Sequence, residues 1–115
     1  MIRVSYAEIE SDSLVGSRER EQQLLDQSIA MMDQALKDGP KSIAAVEAMH
    51  FTIRLWTHLM QDLAEPENEL PDDLRASLIS IGIWILKEAD AVRMGEEGSV
   101  AEIRDITVII RDGLK

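Results

Sequence analysis

The stretch Glu65-Pro66-Glu67-Asn68-Glu69-Leu70-Pro71-Asp72-Asp73-Leu74-Arg75-Ala76-Ser77-Leu78-Ile79-Ser80-Ile81-Gly82-Ile83-Trp84-Ile85-Leu86 runs an acidic, proline-punctuated linker into the most apolar part of the chain. Pro66 and Pro71 stop a preceding helix from passing through, because proline lacks an amide hydrogen and its ring collides with the carbonyl one turn back. Pro71 is tolerated in the first turn of a new helix, where amide hydrogens have no partner in any case. Asp72 and Asp73 then fall where the helix dipole favours negative charge. From there Leu74, Leu78, Ile81, Ile85, Ala89 and Val92 recur on one helical face, with Ile79, Ile83 and Leu86 on another. Ile79, Ile81, Ile83 and Ile85 also alternate as a strand would. The helical reading prevails because the pattern continues to Val92, beyond a typical strand, and no second β-like run exists to pair with it. The spacing predicts a helix from Asp72 to about Met94.

Three further helices follow from the same logic. On the N-terminal side of the linker, Val46, Met49, Ile53, Trp56, Met60 and Leu63 step by three and four, the seam of a packed helix pair. A second stripe on that helix holds Ala44, Ala48, Phe51, Leu55 and Leu59. Before it, Ser17 reads as an N-cap and Arg18 to Lys37 as a helix with Leu25, Ile29, Met32 and Leu36 on one face, widened by Leu24, Met31 and Ala35. Asp38-Gly39-Pro40 ends it, with Gly39 suited to a left-handed C′ position. After the third helix, Gly95-Glu96-Glu97-Gly98 is a turn, and Ser99-Val100-Ala101-Glu102 fits a capping box. The fourth helix carries Val100, Ile103, Thr107, Ile110 and Leu114, with Ile106 and Ile109 beside them, and Gly113 closes it. Residues 1–16 lack sustained periodicity and read as a less regular N-terminal arm. The expected fold is all-α: a small bundle of about four helices over residues 17–115, forming a single domain.

Composition limits what such a bundle does. Cysteine is absent, which excludes disulfides, thiolate nucleophiles and Cys-ligated metals. A net charge of −10 disfavours direct binding to nucleic acid or to anionic membrane. The longest apolar run, Leu78 to Leu86, is interrupted by Ser80 and Gly82 and falls far short of a membrane span. Residues 1–15 form no apolar core of a secretory signal. These features predict a soluble cytoplasmic protein.

No catalytic frame emerges. Glu47 and His50 have the Glu-x-x-His spacing of di-metal bundles, but that chemistry needs a second such pair and two more glutamates, and the other histidine, His58, has Leu55 three residues before it. No nucleophile motif or phosphate-binding loop is present. The carboxylates from Glu65 to Asp73 read as a solvated loop. We therefore expect no catalytic, metal or cofactor residues. What remains is surplus apolar surface. Trp56 and Trp84 sit at core-compatible positions in a chain with 3% aromatics, and tryptophan also serves as an interface anchor. The second stripes on helices two and three pose the same choice between core and partner groove.

Four segments carry a resemblance to the FlaF family of flagellar biosynthesis regulators. They are Arg18-Glu19-Arg20-Glu21; Ala45-Val46-Glu47-Ala48-Met49-His50-Phe51 with Arg54-Leu55-Trp56; Asp62-Leu63-Ala64 through Glu67-Asn68-Glu69-Leu70-Pro71 to Leu74-Arg75-Ala76-Ser77-Leu78-Ile79-Ser80-Ile81-Gly82; and Ile109-Ile110-Arg111-Asp112-Gly113-Leu114. Tyr6 also fits. The linker and the Ser-Ile-Gly run are the most specific part, since generic bundle packing would not dictate them. The resemblance implies a non-enzymatic regulator needed for flagellin production, acting on flagellin as a chaperone or export adaptor. The alternative is a regulatory subunit working through a second regulator, FlbT, which acts on flagellin messenger RNA. An acidic bundle with a spare apolar stripe suits an amphipathic flagellin helix. The residues expected to form that groove are Phe51, Leu55, Leu59, Ile79, Ile83 and Leu86, supported by Trp56 and Trp84.

Overall fold

The computed structural model describes residues 14–113, with side chains from Arg18 onward. Within them the chain forms four helices: α1 (Leu14–Asp38), α2 (Ile43–Ala64), α3 (Asp72–Arg93) and α4 (Val100–Gly113). The all-α bundle expected from the sequence is the fold observed. α1 begins at Leu14, so Ser17 lies inside the helix instead of capping it. Nothing in Leu14-Val15-Gly16 obliges the chain to leave helical geometry there. The rest of the N-terminal arm and Leu114 lie outside the described residues.

The helices form a ring in which each packs on its neighbour in the chain and α4 closes back on α1. The closing contact is antiparallel, since Asp33 pairs with Arg104 at 2.9 Å while Asp26 pairs with Arg111 at 3.0 Å. Leu25, Ile29 and Met32 of α1 are buried with Ala48, Met49 and Trp56 of α2, Ile85 and Ala89 of α3, and Ile103 of α4. The sequence had placed Leu36 on the inner face; it is 47% exposed, in the last turn of α1, and Ala35 is buried in its place. The core also contains a polar element with no apolar signature. Ser28 and Thr52 are fully buried, and their hydroxyls meet at 3.1 Å across the α1–α2 contact. Thr107, equally buried, donates to the carbonyl of Ile103 at 2.7 Å. Each buried hydroxyl therefore has a partner, which removes the desolvation cost of leaving one unmatched.

The helix ends show how the short loops are fixed. Ser42 caps α2, its hydroxyl accepting from the amide of Ala45 at 3.1 Å and donating to the carbonyl of Gly39 at 2.6 Å. Gly39 itself has φ +106°, the left-handed side expected for it. At the next loop Arg75 reaches back from α3, its Nε and Nη2 donating to the carbonyl of Leu63 at 3.1 and 2.8 Å, and Nη2 also to the carbonyl of Glu65 at 3.1 Å. A guanidinium there satisfies carbonyls orphaned at the C-terminus of α2 and meets the negative end of its dipole. Asn68 braces the same turn: its amide group donates to the carbonyl of Asp62, and its side-chain oxygen accepts from the amide of Leu70 at 3.0 Å. The acidic linker is thus organised by one asparagine and one arginine, while Pro71 serves as the N-cap of α3, one position before the first turn in which it was expected.

The capping box at Ser99 is only half formed. The Ser99 hydroxyl accepts from the amide of Glu102 at 3.1 Å, as expected, but the amide of Ser99 donates to Glu88 of α3 at 3.0 Å, not to Glu102. A tertiary carboxylate has taken the local partner's place. Gly98 permits the approach, since a Cβ there would sit 2.9 Å from the carbonyl oxygen of Glu88 and 2.8 Å from Val92.

Candidate partner-binding surface

The eight residues expected to form one groove divide between two sides of α2. Trp56 is 1% exposed, in the centre of the core. Gly82 of α3 lies against it: a Cβ on Gly82 would meet Trp56 Cε3 at 3.1 Å and would overlap Met60 Sδ. Gly82 therefore lets α3 approach α2 more closely than any side-chain-bearing residue would allow. Leu59, Trp84 and Leu86 are partly buried and pack against the core. Ile79 is also partly buried, and Ile83 is 45% exposed on α3.

Phe51 and Leu55 lie elsewhere. At about 100° per residue they project more than a quarter turn around α2 from the Trp56–Met60 side that receives α3. Together with Leu24 and Met31 of α1 they line a groove along the outward face of α2. Leu55 is 6% exposed and forms the floor, Phe51 and Met31 are partly buried walls, and Leu24 is 37% exposed at the rim. Val46, 54% exposed, continues the apolar track toward Arg93 of α3.

The rim of this groove is polar, in a chain whose net charge is −10. His50, Arg54 and His58, all exposed, recur every four residues and line it with a single acid, Glu47. Arg54 has no ion-pair partner among the described residues, whereas Arg75, Arg93, Arg104 and Arg111 each have one. Beyond His58, the half-buried carboxyl of Glu21 is held above its ordinary pKa, first by burial and then by Asp62, with His58 and Arg18 opposing the shift. Leu24, Met31, His50, Arg54 and His58 were not anticipated as groove residues. The four-residue recurrence of His50, Arg54 and His58 was the available signal, but nothing in the sequence says which apolar face it borders.

The features of catalytic chemistry remain apart. Glu47 and His50 are exposed on α2, and among the described residues no group of three or more His, Asp or Glu side chains is placed to hold a metal ion. Glu65, Glu67, Glu69, Asp72 and Asp73 are exposed to solvent, as a solvated loop would be. No helix among the described residues is long and apolar enough to cross a membrane.

A ring of four antiparallel helices with a tightly closed α2–α3 contact and an apolar groove along α2 defines a small helical bundle. The family model described as flagellar protein FlaF matches residues 2–114, and the chain belongs to that family. No curated protein and no solved structure matches the chain.

Proposed function

We propose that this chain is a non-enzymatic cytoplasmic regulator of flagellum biosynthesis that promotes flagellin production by binding flagellin, as a chaperone or export adaptor. The observation that carries this reading is the groove along α2, where Phe51, Leu55, Leu24 and Met31 leave apolar surface open inside a polar rim that includes Arg54. An amphipathic helix laid into it buries an apolar stripe on Phe51 and Leu55 and sets its polar flank against His50, Arg54 and His58. Leu59, Trp84 and Leu86 pack partly buried against the core, Ile79 is half-buried, Ile83 is exposed on α3 and Trp56 lies in the core itself. Membership of a flagellar family agrees with this role.

Calorimetric titration with monomeric flagellin tests it, with FlbT titrated in parallel. Saturable, roughly equimolar binding to flagellin with a negative heat-capacity change is expected, because apolar surface is buried. Phe51→Asp and Leu24→Asp should weaken that binding at least tenfold while the thermal melt stays nearly unchanged. Leu55 is unsuited to the same test, since a charge at a position 6% exposed disrupts the core. Binding to FlbT alone would overturn the reading and make flagellin control indirect.

A further inference from the structure

The groove along α2 carries a local charge opposite to that of the chain. We infer that its occupant is an amphipathic helix with an acidic flank, whose carboxylates meet Arg54 on the rim and Lys41 and Arg93 at the far end. The identity of the partner rests on the reading above, but the charge preference does not.

Two hollows join on this side of the bundle. The apolar groove and a smaller pocket of about 130 Å³ share Val46 and Arg93 in their walls. The pocket adds Lys41 from the loop before α2 and Gly95 from the turn after α3. Together they form one track from His58 to Lys41. Val46 and His58 stand twelve residues apart on α2, about 18 Å at 1.5 Å per residue. A partner helix of about 13 residues covers that length.

Charge along the track is uneven. With both histidines neutral, its lining carries Lys41, Arg54 and Arg93 against a single acid, Glu47. Arg93 is paired with Asp90 at 2.6 Å, whereas Lys41 and Arg54 are exposed and have no ion-pair partner among the described residues. The first turn of α2 holds no acid, so the positive end of its dipole stands uncompensated next to Lys41. The opposite end differs, because Glu21 and Asp62 stand near His58. The acids of the occupant therefore belong over Arg54, Arg93 and Lys41, and its uncharged half over His58.

Range decides which charge the occupant obeys. Exposed charges are screened beyond about 8 Å at physiological ionic strength, so a helix seated in the track is governed by the side chains that touch it. The net charge of −10 favours a basic partner at a distance, while the track favours an acidic one at contact. A basic helix of equal apolar area sets like charges against Arg54 and Lys41, and is rejected on that ground.

The full chain can be tested with two model helices of about 14 residues that share a leucine stripe and carry either glutamate or lysine along one half of the flank. The glutamate helix should bind at least about tenfold more tightly at low salt, with the margin shrinking as salt rises. Arg54→Glu should remove most of that margin. Lys87→Glu changes the net charge equally but lies exposed on α3 outside both hollows, and should leave the margin intact. Equal binding of the two helices, or tighter binding of the lysine helix, overturns the inference. So does a margin that falls equally in both variants, or one that survives Phe51→Asp and thus arises away from the groove. Self-association abolished by Phe51→Asp would seat a second copy in the track and also overturn it. Because the model helices contain no flagellin sequence, their preference without flagellin binding defeats the functional reading alone. Flagellin binding that Phe51→Asp removes, but that Arg54→Glu and Lys87→Glu affect equally, defeats the inference alone.

Discussion

The two sides of α2 look alike in sequence and behave differently in the bundle. Both carry an apolar stripe spaced by threes and fours. On the α3 side, Trp56 and Met60 meet Gly82, and the missing side chain lets the two helices close until Trp56 is 1% exposed. On the other side, Phe51 and Leu55 meet Leu24 and Met31 of α1 without full closure, and an apolar groove with a polar rim remains. Apolar character sets how much surface must be covered, while the size of the opposing residue and the length of each loop decide whether the same chain covers it.

The difference can be broken most severely at Trp56. Trp56→Ala opens a cavity at the middle of the α2–α3 contact and should cost about 3–5 kcal/mol, read as a large drop in the denaturant midpoint. Gly82→Leu attacks the same contact from the other helix. The added side chain has nowhere to go without moving Trp56 and Met60, so a loss of about 1–3 kcal/mol is expected, read by the same unfolding titration. Phe51→Asp, on the outward side, should change stability by no more than about 1 kcal/mol while abolishing partner binding. A cost at Phe51 equal to that at Trp56 would show that the two sides are equally buried.

The smallest effect lies beyond the His58 end of the groove, at Glu21. Its folded-state pKa is raised, so between the ordinary carboxylate value and the raised one the folded state holds more protons than the unfolded state. Stability contributed by the protonated form is therefore present at low pH and declines as pH rises through that window. Glu21→Gln should remove the decline: its melting temperature should exceed that of the natural chain at pH 7 and match it near pH 4. Thermal melts at the two pH values check this, and an unchanged difference would mean that Glu21 is solvated in both states.

Much of this was legible in the residues, and the failures share a cause. Gly39 and the Asp72–Asp73 entry to α3 acted as their local chemistry predicts, because a left-handed turn or a helix start depends on a few neighbouring residues. The Ser99 capping box failed by half because Glu88, eleven residues away, outcompeted Glu102 for one amide. Ser28 and Thr52 could not be read as core, since a hydroxyl is inexpensive to bury only when another stands opposite it, and the opposing residue is 24 positions distant. The eight groove residues were sound as apolar positions, yet their grouping divided, because helical periodicity gives angles around one axis and not the identity of the neighbour at each angle.

The sequence by itself determined the number of helices, their extent apart from the start of α1, where the chain turns, and the resemblance to a flagellar family through Pro-Glu-Asn-Glu-Leu-Pro and Ser-Ile-Gly. The tertiary structure alone decided why those residues matter: Asn68 and Arg75 secure the end of α2, and Gly82 admits Trp56. It also decided which apolar face stays open. Local conformation is fixed by short-range sterics and hydrogen bonding, which a sequence records directly, whereas burial belongs to pairs of distant residues and exists only once the helices have met.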